Sequence, residues 1–92
     1  MLIETRQGTI LCDPWFEPAF FGSWFVFPRN DRLSPELMAK IERPDYLYVS
    51  HIHADHLDDV FLTNHISRET TLLIPGFPTR ELERLLRAYG FT

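Results

Sequence analysis

The most informative part of this sequence is residues 46–56, YLYVSHIHADH. Its first four side chains form a nearly continuous apolar run, which is typical of a strand buried on both faces in a sheet that helices cover. The part that follows holds three of the four histidines of the chain and one aspartate within six residues. Because open α/β sheets place their sites at the carboxyl ends of strands, this arrangement indicates an α/β domain with its site at residues 51–56.

The flanking sequence predicts the element order β-β-α-β-α-β-α. Short β-prone runs on either side of Gly8 indicate a hairpin at the start of the chain. Ser34 and Pro35 provide a helix N-cap followed by a first-turn proline, and either Asp58 or Asp59 can cap the next helix. Strands that alternate with helices predict a layered sheet with right-handed crossovers.

Length and composition limit the functions that this chain can have. Its 92 residues form one domain at most, and 9 basic against 13 acidic side chains give a net charge of −4, which argues against a nucleic-acid partner. A single cysteine, Cys12, excludes an intrachain disulfide and predicts a cytoplasmic location. No apolar run approaches the roughly 20 residues of a membrane-spanning helix, so we expect no membrane partner.

Residues 51–56, which we call the histidine cluster, have the spacing of metal ligands. In an extended chain residues i and i+2 project to the same side, so His51 and His53 can direct two imidazoles at one metal ion. Asp55 and His56 follow where the chain turns, and they can reach a second metal ion from there. The alternative is that these side chains only decorate a solvated loop, but three histidines at ligand spacing argue against it.

The pattern His51-x-His53-x-Asp55-His56 after a hydrophobic strand resembles the HxHxDH signature of the metallo-β-lactamase superfamily, and residues 11–14, LCDP, resemble its upstream Asp-Pro element. More narrowly, residues 13–20, DPWFEPAF, with Ser23 and Trp24 resemble the branch that contains CMP-N-acetylneuraminate and UDP-N-acetylmuramate hydroxylases. The resemblance covers nearly the whole chain. It implies an αββα sandwich, of which residues 1–92 would be the N-terminal half and the C-terminal half would be absent.

This resemblance also implies a di-metal enzyme that binds two divalent ions, iron or zinc. His51 and His53 would bind the first ion, and Asp55 and His56 the second, with Asp55 also catalytic as a proton acceptor. Asp13 would support the loop from behind these ligands, or it is a turn-capping aspartate before proline. The remaining ligands of the family are missing, so the isolated chain is expected to be inactive.

Two reaction types fit such a site. The resemblance favours an oxidoreductase that hydroxylates the N-acyl group of a nucleotide-sugar-like small molecule, with electrons from a Rieske-type or other redox partner. The alternative is a zinc-dependent hydrolase of esters or phosphodiesters. A hypothesis of another class, motivated by the missing ligands and the small core, is a non-catalytic fragment that binds metal weakly or assembles into an oligomer.

Residues 13–32, which we call the aromatic loop, carry seven of the aromatic side chains of the chain, which has 2 Trp, 3 Tyr and 8 Phe in all. Trp15, Phe20 and Trp24 are predicted to contact a substrate or a redox partner, because exposed aromatic rings stack on sugars, bases and partner surfaces. The alternative is that they pack against the absent half of the sandwich, since apolar loop surface usually belongs to a core.

Overall fold

A computed structural model describes residues 1–17, 19, 20, 22, 24, 26, 30, 32–76 and 78–92. Among these residues it contains one four-stranded sheet and three helices, so the predicted α/β class and element order are confirmed. The strands are β1 (Leu2–Thr5), β2 (Gly8–Cys12), β3 (Tyr46–Tyr48) and β4 (Thr71–Leu73). The helices are α1 (Pro35–Glu42), α2 (Asp59–His65) and α3 (Glu81–Ala88).

The strands lie in the order β1-β2-β3-β4. β1 and β2 form the predicted hairpin, whereas β2, β3 and β4 run parallel, with Leu11, Leu47 and Leu72 in register across them. Because the carboxyl ends of parallel strands meet at one edge, the residues that follow β2 and β3 come together. A backbone hydrogen bond of 2.9 Å from Asp13 N to Tyr48 O extends the pairing into this edge.

The hairpin turn depends on Gly8, whose φ is +139°, a conformation that L side chains rarely adopt. A Cβ atom at this position would lie 2.8 Å from Asp45 Oδ2. That oxygen accepts a hydrogen bond of 2.8 Å from Thr9 N, and Thr9 Oγ1 accepts one of 3.1 Å from Asp45 N. Because Gly8 has no side chain, Asp45, the residue before β3, can come close enough to hydrogen-bond Thr9 at the start of β2.

One face of the sheet carries the core. Leu11, Leu47 and Val49 are buried there with apolar side chains of all three helices, including Leu62 and Leu86. Burial of these side chains supplies the main favourable contribution to folding, about 1.5 to 3 kcal/mol for each fully buried large one.

The other face of the sheet is covered much less. Its side chains alternate with the core residues, and Tyr46 remains 37% exposed and Leu73 39% exposed. The prediction that β3 is buried on both faces is therefore wrong for the face of Tyr46. The described part of the chain contains one sheet, and the αββα sandwich, of which residues 1–92 were expected to be the N-terminal half, has no support beyond this mixed α/β layer.

The helix boundaries follow the predicted caps. Ser34 Oγ accepts a hydrogen bond of 3.2 Å from Leu37 N, and Pro35 is the first residue of α1. Asp58, and not Asp59, is the N-cap of α2, since its Oδ1 accepts a hydrogen bond of 3.0 Å from Phe61 N. None of the helices among the described residues has the length and apolar character needed to cross a membrane.

Candidate functional site

The site is built around Asp13, the first residue after β2. Its φ of 41° lies in the left-handed region, which aspartate tolerates better than most residues because its short side chain can hydrogen-bond locally. This conformation ends the strand and turns the carboxylate toward the end of β3. Asp13 Oδ1 accepts a hydrogen bond of 2.8 Å from Ser50 N, and Oδ2 accepts one of 2.8 Å from Ser50 Oγ.

His56 is the third partner of this carboxylate. Its Nδ1 lies 3.0 Å from Asp13 Oδ2, although the two residues are 43 positions apart in the sequence. The loop that carries His56 is closed by a tight turn, in which His53 O accepts hydrogen bonds from His56 N at 2.9 Å and from Leu57 N at 2.7 Å. Asp13 therefore contacts Ser50 and His56 from behind the histidine cluster, and the role of this aspartate as a support for metal ligands stays a prediction.

The electrostatics of the site favour an ionised Asp13. Partial burial raises the pKa of this carboxyl group, but the hydrogen bonds from His56 and from the Ser50 backbone and hydroxyl lower it by more. The pKa therefore lies below its ordinary value of 3.8. At neutral pH the site holds a carboxylate that accepts hydrogen bonds and donates none.

The other members of the histidine cluster are arranged around this centre. His51 Nδ1 lies 2.8 Å from Ser50 Oγ, and the ring of His51 lies 4.1 Å from that of His56 between centroids. The ring of His53 lies 4.8 Å from that of His51 in an edge-to-face arrangement, with the side chain exposed. Asp55 Oδ2 lies 3.4 Å from His56 Nε2. The structure thus brings His51, His56 and Asp13 into one network and leaves His53 at its margin.

The four predicted metal ligands do not form a preassembled metal site. Among the residues that the structure describes, no three His, Cys, Asp or Glu side chains are arranged to hold a metal ion. His51 and His56 direct Nδ1 into the Asp13 and Ser50 network, and Asp55 lies beside His56. Metal ligation by His51, His53, Asp55 and His56, and catalysis by Asp55, therefore stay predictions.

The aromatic loop divides into a packed part and an exposed part. The ring of Phe16 stacks on that of Phe61 in α2 at 4.1 Å between centroids, and Trp15 Nε1 donates a hydrogen bond to Glu17 O. Phe20 and Trp24 form an edge-to-face pair at 4.8 Å, and Trp24 is 54% exposed. Contact of Trp15, Phe20 and Trp24 with a substrate or partner stays a prediction. Pro18 and Ser23, which belong to the motif compared above, lie outside the described residues.

Sequence reasoning missed two residues of this region. Ser50 contacts Asp13 and His51, yet a serine between a strand and a histidine has no spacing signature of its own. Asp58 was predicted only as a helix cap, but its Oδ2 also accepts hydrogen bonds of 2.8 and 2.9 Å from the backbone of Phe16 and Glu17. The early part of the aromatic loop is thereby tied to the helix that follows the histidine cluster.

Comparison with known proteins finds similarity to iron–sulfur proteins. The chain is 46% identical over 90 residues to proteins of Mycolicibacterium smegmatis and Mycobacterium tuberculosis whose names describe them, provisionally, as Rieske 2Fe-2S iron–sulfur proteins. The match covers 98% of this chain but 17% of each relative, so the chain spans about one sixth of their length. It is also 29% identical over 70 residues to cytidine monophosphate-N-acetylneuraminic acid hydroxylase of Danio rerio, over 75% of this chain and 11% of that protein. No family model and no solved structure matches.

These names overturn the interpretation as a metallo-β-lactamase. That resemblance depended on a six-residue cluster and a short loop, whereas the similarity to the Rieske-named proteins extends over 90 residues. Three expectations that followed from this superfamily are therefore also wrong. They are the function of a metal-dependent hydroxylase or hydrolase, an enzyme of the metallo-β-lactamase fold, and two divalent iron or zinc ions as cofactors. A Rieske-type redox association, predicted as an external partner, is compatible with the names of the relatives.

The residues of this chain do not fit a Rieske cluster by themselves. In such centres two cysteines hold one iron and two histidines hold the other. The chain has four histidines but a single cysteine, Cys12, which is half-buried at the end of β2. One of the two thiolates is missing, so one copy of these 92 residues cannot complete the ligand set.

Proposed function

We propose that this chain is one segment of a Rieske-type iron–sulfur protein with an electron-transfer role, and that the 2Fe-2S cluster is bound outside these 92 residues. The observation that carries this proposal is the 46% identity over 90 residues to the Rieske-named proteins. The single cysteine supports the second part, since a Rieske cluster needs two. In this proposal residues 1–92 form one domain-sized part of a longer polypeptide.

Within such a protein, the proposed functional centre of this segment is the histidine cluster with Asp13. The imidazoles of His51, His53 and His56 and the carboxylate of Asp55 lie at the edge where the parallel strands end, which is where open α/β sheets bind ligands. We keep these four residues as a proposed ligand-donor set. Their role is separate from the cluster that the relatives are named for.

The test of the electron-transfer role is electron paramagnetic resonance of the longer polypeptide that carries this sequence, purified anaerobically and reduced with dithionite. We expect a Rieske-type spectrum and reversible reduction. The double variant His51→Ala, His53→Ala should keep the spectrum, because the proposal places the cluster elsewhere. His65→Ala is the matched control, since His65 lies on α2 outside the histidine cluster. A polypeptide without any iron–sulfur signal would contradict the proposed function.

A nucleotide sugar is a proposed small-molecule partner of the same protein. Its support is the similarity of 70 residues to a hydroxylase that is named for a cytidine monophosphate sugar. The exposed pair Phe20 and Trp24 provides rings on which a base or sugar can stack. Saturation-transfer NMR with cytidine monophosphate-N-acetylneuraminate should give signal that Trp24→Ala reduces and Trp15→Ala, whose indole N–H is bonded within the loop, reduces less. The absence of saturation transfer with the intact protein would contradict the proposal of a nucleotide-sugar partner.

A cytoplasmic location is also proposed. Its support is the lone Cys12, because exported domains of this size commonly depend on disulfides and this chain forms none by itself. Fractionation of cells that express the tagged longer polypeptide should recover it with cytoplasmic markers. Recovery with the membrane or the extracellular fraction would contradict the proposal.

A further inference from the structure

The proton positions in the network around Asp13 can be assigned by counting donors and acceptors. Three groups lie within 3.0 Å of the Asp13 carboxylate oxygens, and because a carboxylate only accepts hydrogen bonds, each of these partners must supply a hydrogen. Ser50 N donates to Oδ1, and the single hydroxyl hydrogen of Ser50 donates to Oδ2 at 2.8 Å. His56 Nδ1, at 3.0 Å from Oδ2, must carry a proton as well.

This assignment fixes His51 as a consequence. Because Ser50 Oγ has given its only hydrogen to Asp13, it can act toward His51 only as an acceptor. The contact of 2.8 Å between Ser50 Oγ and His51 Nδ1 then requires a proton on that nitrogen. The opposite arrangement, with an unprotonated Nδ1, would place two lone pairs against each other at hydrogen-bond distance.

We infer that Ser50 is a positioning residue that connects Asp13 to His51 through a hydrogen-bond relay, holding His51 in the Nδ1–H tautomer with an unprotonated Nε2 as a lone-pair donor. Asp13 fixes Nδ1–H of His56 directly. The orientation of an imidazole ligand is ordinarily set in this way, by the hydrogen bond that its other nitrogen makes. The site therefore offers Nε2 of His51 to a proton donor or another electron-pair acceptor, and it does not offer Nδ1.

This inference does not depend on the proposed iron–sulfur role, because all its atoms belong to the described residues of this chain. Its test is long-range proton–nitrogen correlation NMR of the chain with ¹⁵N-labelled histidine at neutral pH. We expect a pyrrole-type nitrogen shift for His51 Nδ1 and a pyridine-type shift for Nε2. A pyridine-type shift at His51 Nδ1 in the unsubstituted chain would overturn the inference without any variant.

Variants of Ser50 then test whether this serine sets the tautomer of His51 or only stabilises the loop. Ser50→Ala removes the acceptor of His51 Nδ1–H, so the ratio of Nε2–H to Nδ1–H tautomer should rise about fivefold or more, as the loss of one ordinary hydrogen bond implies. Ser50→Thr keeps a hydroxyl and should restore the original ratio. Ser34→Ala, which removes only the cap of α1, is the matched control and should leave His51 unchanged.

An unchanged His51 tautomer in folded Ser50→Ala would contradict the relay. Folding of each variant is checked from the backbone amide signals of Leu47 and Leu86, which lie in the core. Should Ser50→Ala fail to fold, Ser50→Cys tests the same point, because a thiol is a poor acceptor and donor of nearly the same shape. A tautomer ratio in Ser50→Cys equal to that of the original chain would count against the inference.

Discussion

At the scale of single residues, the account depends most on Asp13. The backbone of this residue takes a left-handed conformation, and its carboxylate joins the end of β2 to Ser50 and His56 in the loop between β3 and α2. Sequence reasoning named Asp13 through the resemblance of residues 11–14 to the Asp-Pro element of a family that the comparisons do not support. It could not foresee Ser50 as a partner, since that contact depends on how the chain turns after β2 and not on any spacing of residue types.

Asp13→Asn should make the protein less stable at neutral pH by about 1 to 2 kcal/mol, a loss reduced by the partial exposure of the site. The folded-state pKa of Asp13 lies below its unfolded value, so its contribution is present above the unfolded pKa, near 3.8, and is lost as the pH falls through the folded value. Urea unfolding at neutral pH and near pH 3 measures both effects. We expect the variant and the original chain to differ at neutral pH and to converge in acid. A difference that is equally large in acid would contradict the proposed ionisation of Asp13.

Gly8→Ala should destabilise the fold by about 1 to 3 kcal/mol, because its φ of +139° is strained for alanine and the new Cβ would lie 2.8 Å from Asp45 Oδ2. Gly76→Ala is the matched control, since a Cβ there meets no atom within 4 Å. The free energy of unfolding of the two variants, measured by chemical denaturation, provides the comparison. Equal stability of both would show that the turn is not held as described.

At the scale of elements, the sequence pattern predicted more than it missed. Caps, turn glycines and hydrophobic periodicity are local signals, and they placed all the strands and helices that the structure describes. The error concerned the face of β3 that carries Tyr46. A run of apolar residues shows that a strand can be buried on both faces, but whether a neighbouring layer covers it depends on the rest of the fold.

Asp58 illustrates an element contact that local signals show only in part. One carboxylate oxygen caps α2, as predicted, and the other holds the backbone of Phe16 and Glu17 in the aromatic loop. Asp58 is only 4% exposed, so its loss leaves the buried donor Phe61 N and the partly buried donors Phe16 N and Glu17 N without this partner. The aromatic loop and α2 should therefore be coupled through this one residue.

Asp58→Ala should cost about 2 to 3 kcal/mol, more than an ordinary N-cap, because a cap and two further backbone hydrogen bonds are lost together. Asp59→Ala is the control, since Asp59 is exposed, accepts a hydrogen bond from the amide of the next residue, Val60, and is not the N-cap of α2. Thermal denaturation compares the two, and amide hydrogen exchange at Phe16 and Glu17 should accelerate in Asp58→Ala alone. Similar melting temperatures for both variants would contradict the coupling.

At the scale of the whole molecule, the histidine cluster supported the wrong family, and its role as a functional site stays a prediction. Six residues at ligand spacing are compatible with many proteins, because any strand end can present imidazoles to one side. An identity of 46% over 90 residues limits the possible relatives much more strongly than a six-residue motif does. The residues themselves exclude a complete Rieske ligand set within one copy of this chain, because a single cysteine cannot provide both thiolates.

The uneven burial of the sheet belongs to this scale as well. The helices and the core residues share one face, while side chains such as Tyr46 and Leu73 stay partly exposed on the other. The chain also spans only 17% of its Rieske-named relatives. Both observations are compatible with a segment that works as part of a larger assembly, which is the form that the proposed function takes.

The central claim is that this segment belongs to a Rieske-type protein but does not hold the cluster. The most direct measurement is the acid-labile sulfide content and electron paramagnetic resonance spectrum of the longer polypeptide, with and without Cys12→Ser. The account predicts two sulfides per chain and a Rieske-type spectrum in both proteins, because Cys12 is not a ligand. Loss of sulfide and spectrum in Cys12→Ser, or their absence from both proteins, would contradict it.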